Sequence, residues 1–369
     1  MGLSLNFNDQ PPGSPAAIRR ILIIKWSALG DVAIATAIME DIRQAFPCAV
    51  IHLNTLPSAA RLFAHDPRFE TIISVDVRAK THRLRRNVEW LSRVRSGQYD
   101  LVIDLQGSDH TRLLLALLLV TGHRIPHRLG IRRGFPYTIS PARDDPSAHA
   151  FVRMRSLLTA AGIPAGATRP VLFASEADVA AARETMKRAE LLPQRFAVFL
   201  PGSQAEGWLK RWGAARYTAL AKLLIGPRVD RIAIIGGPEE VEECARIADA
   251  INSQTEGAAI NLNMLPLLQI APICEAAQCI VANDTGTAHI AAASGRPMVV
   301  ICGPTDPRRV KPLGASVRAV QTELTCVDCY RKTCRIASTP SCMEAITPEH
   351  INAILTNGSK EQPGIRVFE

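Results

Sequence analysis

Short apolar runs rich in β-branched residues alternate with longer stretches of helical periodicity along most of this chain. The candidate strands are residues 20–26, 49–55, 71–76, 100–105, 196–200, 231–236, 279–283 and 298–302. The candidate helices lie beside them at 31–45, 57–64, 83–96, 176–190, 213–225, 238–252, 266–277 and 287–294. Because strands that alternate with helices form right-handed βαβ units, the pattern predicts an α/β protein with parallel, doubly wound sheets.

A proline- and charge-rich stretch at 134–149 interrupts this alternation, which then restarts. The pattern therefore predicts two Rossmann-like domains, joined by a linker near 165–175. The predicted boundaries are a flexible tail at 1–17, a first domain at 18–170, a second domain at 171–346, and a C-terminal helix and tail at 347–369. We expect the two domains to face each other across a cleft, because ligands of doubly wound sheets bind at the carboxyl ends of the strands.

The chain has 369 residues, of which 47% are hydrophobic, and this is enough for two domains with substantial cores. Its longest purely aliphatic run, Leu113–Val120, is far shorter than the roughly 20 residues of a membrane-spanning helix, so we expect a buried helix there. Residues 1–17 are polar and rich in Pro and Gly, and they do not resemble a signal peptide. We therefore expect a cytoplasmic protein.

Positive charge is concentrated in the first half of the chain. The formal net charge is +9, with 22 Lys/Arg against 13 Asp/Glu in residues 1–170 and 21 against 21 in residues 171–369. Candidate anion-binding residues in the basic patches are Arg83, Arg85, Arg86, Arg128 and Arg132. The excess is either dispersed surface charge or a surface for nucleic acid, phospholipid or a phosphorylated substrate. Aromatic residues make up only 5%, which disfavours stacking on single-stranded nucleic acid.

The clearest candidate loop of the second domain is ANDTGTAHIAAA, where a strand ends at Asn283 and a helix of small residues follows. Free N–H groups and the positive dipole end of a helix N-terminus attract phosphate, and a glycine lets the backbone approach it. The candidate phosphate-binding residues are Asp284, Thr285, Gly286, Thr287 and His289. Simple capping of the helix by Asp284 or Thr285 is the alternative explanation.

Two more strand ends in this domain carry polar turns. Gly202 and Ser203 follow one strand, and Lys210 lies just beyond them in the segment WLKRW. The neighbouring cations Lys210 and Arg211 suit a diphosphate, although the P-loop pattern GxxxxGK[ST] is absent and ordinary surface charge is the alternative. The third turn is GGPEE, where a glutamate could bind ribose hydroxyls; Glu239 is one of several candidates.

The first strand of the chain ends in the turn SALGD, and a helix-like pattern follows. The turn has one glycine, Gly30, and lacks the GxGxxG of a nicotinamide site, so it does not indicate a dehydrogenase. Asp31 is either an N-cap of the helix or a general base that takes the proton of an attacking hydroxyl group. In the second case, the other domain would stabilise the phosphate leaving group electrostatically.

Three segments in series, IIKWSALGDV, PGS…KRW and NDTGTAHIAAASGRPMVVICGPTDP, resemble glycosyltransferase family 9. These enzymes are the ADP-heptose:lipopolysaccharide heptosyltransferases of GT-B fold, and the resemblance extends over residues 19–355. It implies an inverting, metal-independent transfer of heptose from ADP-heptose to the inner core of lipopolysaccharide. The ADP-sugar would be the donor substrate, with no cofactor required.

The resemblance also implies roles for individual residues. The matched positions are Asp31 as catalytic base, Ser27 and Gly30 near the donor, Lys210 at the donor phosphates, Asp284, Thr285, Gly286, Thr287 and His289 in the donor-binding turn, and, loosely, Glu239 at the ribose. The basic first domain suits an acidic, lipid-linked saccharide acceptor. We therefore expect peripheral contact with the cytoplasmic face of the inner membrane.

Cys326, Cys329, Cys334 and Cys342 supply four thiols with the spacing CxxC-x4-C-x7-C. The CxxC pair is typical of zinc or iron sites, but the remaining spacing is not that of a standard zinc ribbon. A structural metal, reduced structural thiols and a redox-labile pair therefore all remain open. The five other cysteines lie in apolar contexts and are expected to be buried.

Two alternative functions remain. A family 9 enzyme could transfer another sugar, or use a glycan acceptor other than lipopolysaccharide, because the sequence does not fix the donor. A basic nucleic-acid-binding protein with a four-cysteine metal site is the alternative from another class. It does not account for three separate strand-end turns whose residues suit phosphate.

Overall fold

The structure, a computed structural model, describes residues 18–203, 205–336, 339–358 and 363–369. The tail predicted at 1–17 lies outside the described residues. Internal contacts divide the chain into two compact units, Met1–Phe173 and Ala174–Glu369, which we call the first and second units. Each unit is built around its own sheet.

The described part of the first unit is a five-stranded parallel sheet with helices between successive strands. Its strands are β1 (Arg20–Ile24), β2 (Val50–Thr55), β3 (Thr71–Ser74), β4 (Leu101–Asp104) and β5 (His127–Gly130). Its helices are α1 (Leu29–Ala45), α2 (Pro57–Ala60), α3 (Arg83–Ser96), α4 (Asp109–Val120) and α5 (Ala150–Ala160), with a 3-10 turn at Arg61–Phe63. The strand order is β3-β2-β1-β4-β5.

One face of this sheet packs against α3 and α4. Leu22 and Ile24 of β1 lie on the same face, because side chains alternate along a strand. They share a buried cluster with Trp90 of α3 and Leu114 of α4. Residues Ile21–Ile24 are all fully buried, as expected of a central strand whose two faces are both covered by helices.

The described part of the second unit is a seven-stranded sheet, parallel except at one edge. Its strands are β6 (Phe196–Leu200), β7 (Arg231–Ile234), β8 (Ala259–Asn261), β9 (Cys279–Asn283), β10 (Met298–Ile301), β11 (Val317–Thr322) and β12 (Ile365–Phe368). Its helices are α6 (Glu176–Arg188), α7 (Ala214–Leu224), α8 (Val241–Asn252), α9 (Leu267–Ala276), α10 (Gly286–Ala291), α11 (Pro307–Val310), α12 (Ser341–Glu344) and α13 (Pro348–Asn357), with 3-10 segments at Ala205–Lys210, Pro238–Glu240 and Ala292–Ser294. The order is β12-β11-β10-β9-β6-β7-β8, with β12 antiparallel to β11.

Each sheet has a topological switch point, where the strand order reverses and the loops after two neighbouring strands diverge. The switch point lies between β1 and β4 in the first unit, and between β6 and β9 in the second. Ligands of doubly wound proteins bind at such points. The turns that follow these four strands are therefore expected to carry the functional groups.

The α/β class and the two largely parallel sheets are confirmed, but the sequence pattern misses the strands β5, β8, β11 and β12. Three of them, β5, β8 and β12, are edge strands, and β11 lies next to an edge. A strand near an edge is covered less completely than a central strand, so its sequence need not be a continuous apolar run. The segment predicted as a C-terminal tail contributes β12, which pairs antiparallel with β11 and closes that edge. Helix α13, the C-terminal helix predicted within 347–369, begins with a capping box in which the Thr347 side chain accepts from the N–H of His350.

The aliphatic run Leu113–Val120 does form a helix, but the expectation that it is buried is wrong for one face. Leu114 is fully buried against the sheet, whereas Leu113, Leu117 and Val120 are 56%, 40% and 78% exposed. A helix that packs on a sheet buries one side only, so a continuous aliphatic run must leave apolar residues outside. No helix in the described ranges is long and apolar enough to cross a membrane.

Candidate active site

The switch point of the second unit brings together the turns after β6 and β9. Asn283, the last residue of β9, is fully buried and ties these turns to each other. Its amide nitrogen donates to the carbonyl of Pro201, and its Oδ1 accepts a 3.1 Å hydrogen bond from the hydroxyl of Tyr217. A buried amide whose groups are satisfied in this way fixes the local backbone. The two polar turns are thus held side by side.

An ion pair links two of the predicted donor-binding residues at this point. Nζ of Lys210 lies 2.8 Å from Oδ2 of Asp284, whose side chain is only 8% exposed. The carboxylate of Asp284 therefore pairs with Lys210, which argues that Asp284 does not cap the helix. Thr285 is the N-cap residue of α10, yet its side chain makes no capping hydrogen bond to the residues that the structure describes. The capping explanation is wrong for Thr285.

The remaining residues of the predicted phosphate-binding turn follow Asp284 at the start of α10. Gly286 and Thr287 open α10 and are half-buried, and the Thr287 hydroxyl lies 3.4 Å from that of Thr285. His289 is buried one turn into the helix. The helix is short, and it continues into the 3-10 segment at Ala292–Ser294.

Gly202 and Ser203 form the turn after β6, and both are buried. The Ser203 hydroxyl donates to the carbonyl of Gly207 at 2.9 Å and accepts from Nε of Arg211 at 3.2 Å. Arg211 also lies 3.9 Å from the buried carboxylate of Glu243. The second cation of the WLKRW segment is therefore oriented toward the strand-end turn, rather than being ordinary surface charge.

The structure separates the two glutamates of the GGPEE turn. Glu239, the candidate for the ribose, is exposed, whereas Glu240 is buried. A carboxylate oxygen of Glu240 accepts a 2.5 Å hydrogen bond from the N–H of Gly237, and burial raises the pKa of this carboxyl. A Cβ on Gly202 would overlap Cγ of Glu240, so a larger residue there would force the buried Glu240 side chain or the turn to shift. The sequence left the choice among these glutamates open; Gly202, just after β6, was the available signal for the close approach of Glu240.

In the first unit, Asp31 lies in the first turn of α1, directly after the switch-point loop. The N-cap residue is Ala28, so the interpretation of Asp31 as N-cap is wrong. Its side chain is 46% exposed, which leaves the carboxylate available to a solvent-borne group. The positive end of the helix dipole favours an anion at this position.

A buried lysine, Lys25, lies next to the carboxylate of Asp31. Nζ of Lys25 lies 3.8 Å from Oδ2 of Asp31, and Lys25 is only 4% exposed. Burial lowers the pKa of Lys25, while the charges of Asp31 and Asp104 oppose that shift. Asp104 is fully buried at the end of β4. The sequence analysis did not single out either Lys25 or Asp104.

Hydrogen bonds tie Asp104 and the loop after β4 to the loop after β1. Asp104 accepts from the N–H groups of Gln106 and Gly107 and, at 2.5 Å, from the hydroxyl of Tyr137. Burial raises the pKa of Asp104 despite these bonds. The side chain of Gln106 accepts in turn from the N–H groups of Trp26 and Ser27.

The two other predicted residues of the first loop are set in this network. The hydroxyl of Ser27 accepts a hydrogen bond from the guanidinium of Arg78. Gly30 is buried as the second residue of α1. The segment that carries Asp31 is therefore held by Gln106 in the loop after β4 and by Arg78 in the chain that follows β3.

The five candidate acceptor arginines do not form one cluster of equivalent residues. Arg83 and Arg85 are exposed at the start of α3, and Arg86 lies 3.6 Å from the carboxylate of Asp76. Arg128 is half-buried and donates to the carbonyl of Pro136 at 2.6 Å, which makes it a structural residue of its own loop.

Arg132 is also engaged, since it is paired with Asp109 at the start of α4. The residues Asp76, His82, Arg85, Arg86 and Glu89 border a surface cavity of about 300 Å³. Arg85 and Arg86 are therefore placed at a concave surface.

The four clustered cysteines line one small cavity of about 60 Å³. Burial and the neighbouring thiols together raise the pKa of Cys342 to about 11. Within the described residues, no group of three or more His, Cys, Asp or Glu side chains is arranged to hold a metal ion. All nine cysteines are described, and all are free thiols. The expectation of burial for the five other cysteines is wrong for Cys48, which is exposed.

Two α/β units built on doubly wound, largely parallel sheets have the fold of a GT-B glycosyltransferase. A model of glycosyltransferase family 9 (heptosyltransferase) matches residues 88–339, and the chain belongs to this family. The resemblance seen in the sequence is therefore confirmed, and the protein is a glycosyltransferase.

Comparisons with known proteins agree with this assignment. The chain is 28% identical over 325 residues to lipopolysaccharide heptosyltransferase 1 of Salmonella typhimurium, covering 81% of this chain and 93% of that protein. Its fold matches a family 9 glycosyltransferase from Veillonella parvula with a TM-score of 0.75 at 21% identity, over 92% and 98% of the two chains. It also matches ADP-heptose lipopolysaccharide heptosyltransferase II of Escherichia coli with a TM-score of 0.71 at 24% identity, over 92% and 99%.

Proposed function

We propose that this chain transfers heptose from ADP-heptose to the inner core of lipopolysaccharide, with inversion at the anomeric carbon and without a metal ion. The names of its relatives support the donor and the acceptor class. The single observation that carries the proposal is the Lys210–Asp284 ion pair, because it sets a cation at the switch point of the second sheet.

The second unit supplies the donor site in this proposal. Lys210 is held near the turn of Thr285 and Gly286, and it contacts the diphosphate once the donor is bound. Arg211 adds a second positive charge beside Ser203. Two cations can neutralise the charge that develops on departing ADP, which is the task a metal ion performs in other phosphate sites. The carboxylate that binds the ribose is Glu239 or its neighbour Glu240.

Asp31 of the first unit acts as the general base. The oxygen of an acceptor hydroxyl attacks the anomeric carbon, the bond from that carbon to the β-phosphate oxygen breaks, and ADP leaves with the bonding electrons. Asp31 takes the hydroxyl proton as the new bond forms. Because the displacement occurs in one step from the opposite side, the configuration inverts. The half-exposed position of the carboxylate and its cationic neighbour Lys25 support this role.

The acceptor is an acidic, phosphorylated saccharide linked to lipid. Arg83 and Arg85 are the residues that we assign to its anionic groups, since they are exposed, whereas Arg86, Arg128 and Arg132 each contact a neighbouring carboxylate or carbonyl group. The enzyme works in the cytoplasm at the inner face of the inner membrane. Nucleic acid is not among its partners.

Thermal unfolding with ADP, UDP, GDP and NAD at equal concentration tests the donor. ADP should raise the Tm most, because at equal concentration the ligand with the lowest Kd stabilises the folded state most. A larger shift with UDP or GDP would assign another donor and favour a sibling enzyme of the same family.

The reaction itself is tested with ADP-heptose and a delipidated inner-core acceptor. We expect a heptosylated product of inverted anomeric configuration by NMR, and turnover that persists in EDTA. No product with this acceptor, but product with another glycan, would reassign the acceptor.

A further inference from the structure

The first unit carries a strip of exposed apolar side chains on α4. Leu113, Leu117 and Val120 lie at i, i+4 and i+7, which places them along one side of the helix. The neighbouring helix α3 carries Leu84 and Val88, which are 79% and 56% exposed and lie four residues apart. Single exposed apolar residues are ordinary on soluble proteins, but five on two neighbouring helices mark a surface for a partner.

The apolar residues of the two helices face the same side of the unit. Both helices contribute to the buried cluster that covers one face of the sheet. Near their starts, His110 lies 3.1 Å from Asn87, and near their ends Arg95 donates to the carbonyl of Thr121 at 2.6 Å. The helices therefore run side by side over the sheet, and their exposed sides both point away from it.

Arginines border this surface at both ends. Arg83 and Arg85 lie at the start of α3, and Arg124 follows the end of α4. All three are exposed, and none has an ion pair with the residues that the structure describes. Residues 83–135 contain ten arginines and four acidic residues. The apolar strip is thus set in a positively charged surface.

We propose that this docking face, formed by Leu84, Val88, Leu113, Leu117 and Val120 with its bordering arginines, binds an anionic phospholipid bilayer. The apolar side chains would enter the boundary between headgroups and acyl chains, and the arginines would meet lipid phosphates. A nucleic acid would use the arginines and not the leucines. A second copy of the chain would bring two positive surfaces together.

This inference rests on the proposed function, because the acceptor in that proposal is itself anchored in a membrane. The docking face belongs to the same unit as Asp31, the residue that receives the acceptor proton. Binding at the bilayer would bring the unit that handles the acceptor to the surface where the acceptor resides.

Flotation of the full-length protein with vesicles tests the proposal. The vesicles contain phosphatidylcholine alone or phosphatidylcholine with phosphatidylglycerol. We expect binding to the anionic vesicles, weaker binding as salt rises, and at least about tenfold weaker binding for the triple variant Leu113→Ser/Leu117→Ser/Val120→Ser. Arg124→Glu should weaken binding about fivefold or more.

The matched control is Leu192→Ser/Val241→Ser, which removes two exposed apolar residues of the second unit and should bind as the unsubstituted protein does. Circular dichroism and the Tm establish that each variant is folded. Equal binding to neutral and anionic vesicles, or equal binding by the folded triple variant, would overturn the proposal. The proposal would also be overturned if the unsubstituted protein did not bind vesicles but formed an oligomer that the triple substitution disrupts.

The vesicle result is independent of the enzyme assay. Turnover of a soluble, delipidated acceptor should be unchanged in the triple variant. If ADP-heptose is not used at all, the proposed function fails while the vesicle measurement still decides the docking face.

Discussion

The ammonium of Lys25 lies 3.8 Å from the carboxylate of Asp31, and the two side chains differ sharply in exposure. Lys25, the first residue after β1, is buried, whereas nearly half of the Asp31 side chain is exposed to solvent. A buried cation attracts and orients an exposed carboxylate more strongly than a surface cation would, because little water screens the pair on the protein side. The pair therefore fixes a base at the carboxyl end of the central strand.

Asp31→Asn should reduce kcat by about 10²- to 10⁴-fold, because the variant cannot accept the acceptor proton. The Tm shift produced by ADP should be almost unchanged, since the donor residues belong to the second unit. Transfer kinetics and thermal unfolding measure the two effects. Loss of the ADP shift in a folded variant would assign Asp31 to donor binding instead.

Lys25→Met should reduce kcat by at least about tenfold, because the carboxylate of Asp31 loses the cation that positions it. The ADP-dependent Tm shift is expected to stay, and Lys222→Gln, at an exposed lysine on α7, serves as the control. Steady-state kinetics on the folded variants measure kcat for Lys25→Met and for the control. Normal kcat in Lys25→Met would show that Asp31 works without its buried neighbour.

Lys210→Gln should weaken ADP binding by about tenfold or more, since a hydrogen bond to a charged group contributes about 1.5–3 kcal/mol. It also leaves the nearly buried Asp284 carboxylate without its cation beside the incoming phosphates. Calorimetric titration with ADP gives the affinity, with Lys222→Gln again as the control. Unchanged affinity would remove Lys210 from the donor site.

Gly202→Ala should lower the free energy of unfolding by about 1–3 kcal/mol, because the new Cβ would overlap Cγ of Glu240. Gly166→Ala is the matched control, since a Cβ there meets nothing within 4 Å. Denaturant unfolding measures both variants. The cost of Gly202→Ala should shrink in a Glu240→Ala background, and a cost that stays the same would show that the clash lies elsewhere.

Because the His52 side chain is buried, we predict that the free energy of unfolding depends on pH. Nδ1 of His52 lies 2.8 Å from the Tyr99 hydroxyl, its Nε2 is buried with no hydrogen-bond partner in the described part of the chain, and burial lowers its pKa below the ordinary 6.5. Arg20 lowers this pKa further, and Glu70 opposes the shift. The unfolded state therefore binds a proton at His52 more readily than the folded state does. The folded protein keeps the stability contributed by neutral His52 above pH 6.5 and loses it as the pH falls below 6.5.

His52→Gln removes this titration and keeps a polar partner for Tyr99. Between about pH 7 and pH 5 the free energy of unfolding should therefore fall less in the variant than in the unsubstituted protein. Denaturant unfolding at several pH values measures the two slopes. Parallel slopes would mean that His52 titrates alike in the folded and unfolded states.

Much of the candidate site follows from local sequence patterns. The strands β1, β6 and β9 are short apolar runs that end in small or polar residues, and this pattern marks strand-end turns without any knowledge of their neighbours. Asp31, Lys210 and Asp284 were singled out in this way. Their catalytic and donor-binding roles remain predictions.

Other features depend on contacts between distant residues and leave little trace in the sequence. Lys25 and Asp104 lie at the ends of two strands that are far apart in the chain, and only the pairing of β1 with β4 makes them neighbours. The choice between Glu239 and Glu240 depends on which side chain turns toward Gly202. A local pattern carries no information on either point, because adjacent glutamates look alike until the chain folds.

The sequence by itself determined the α/β class, the succession of two parallel sheets and the turns that carry charge, because hydrophobic periodicity and turn chemistry are properties of neighbouring residues. Only the tertiary structure decided which of those charges pair, which lie buried, and which face of α4 stays exposed. These depend on strand order and on packing against one side of a sheet, and residues far apart in the chain set both.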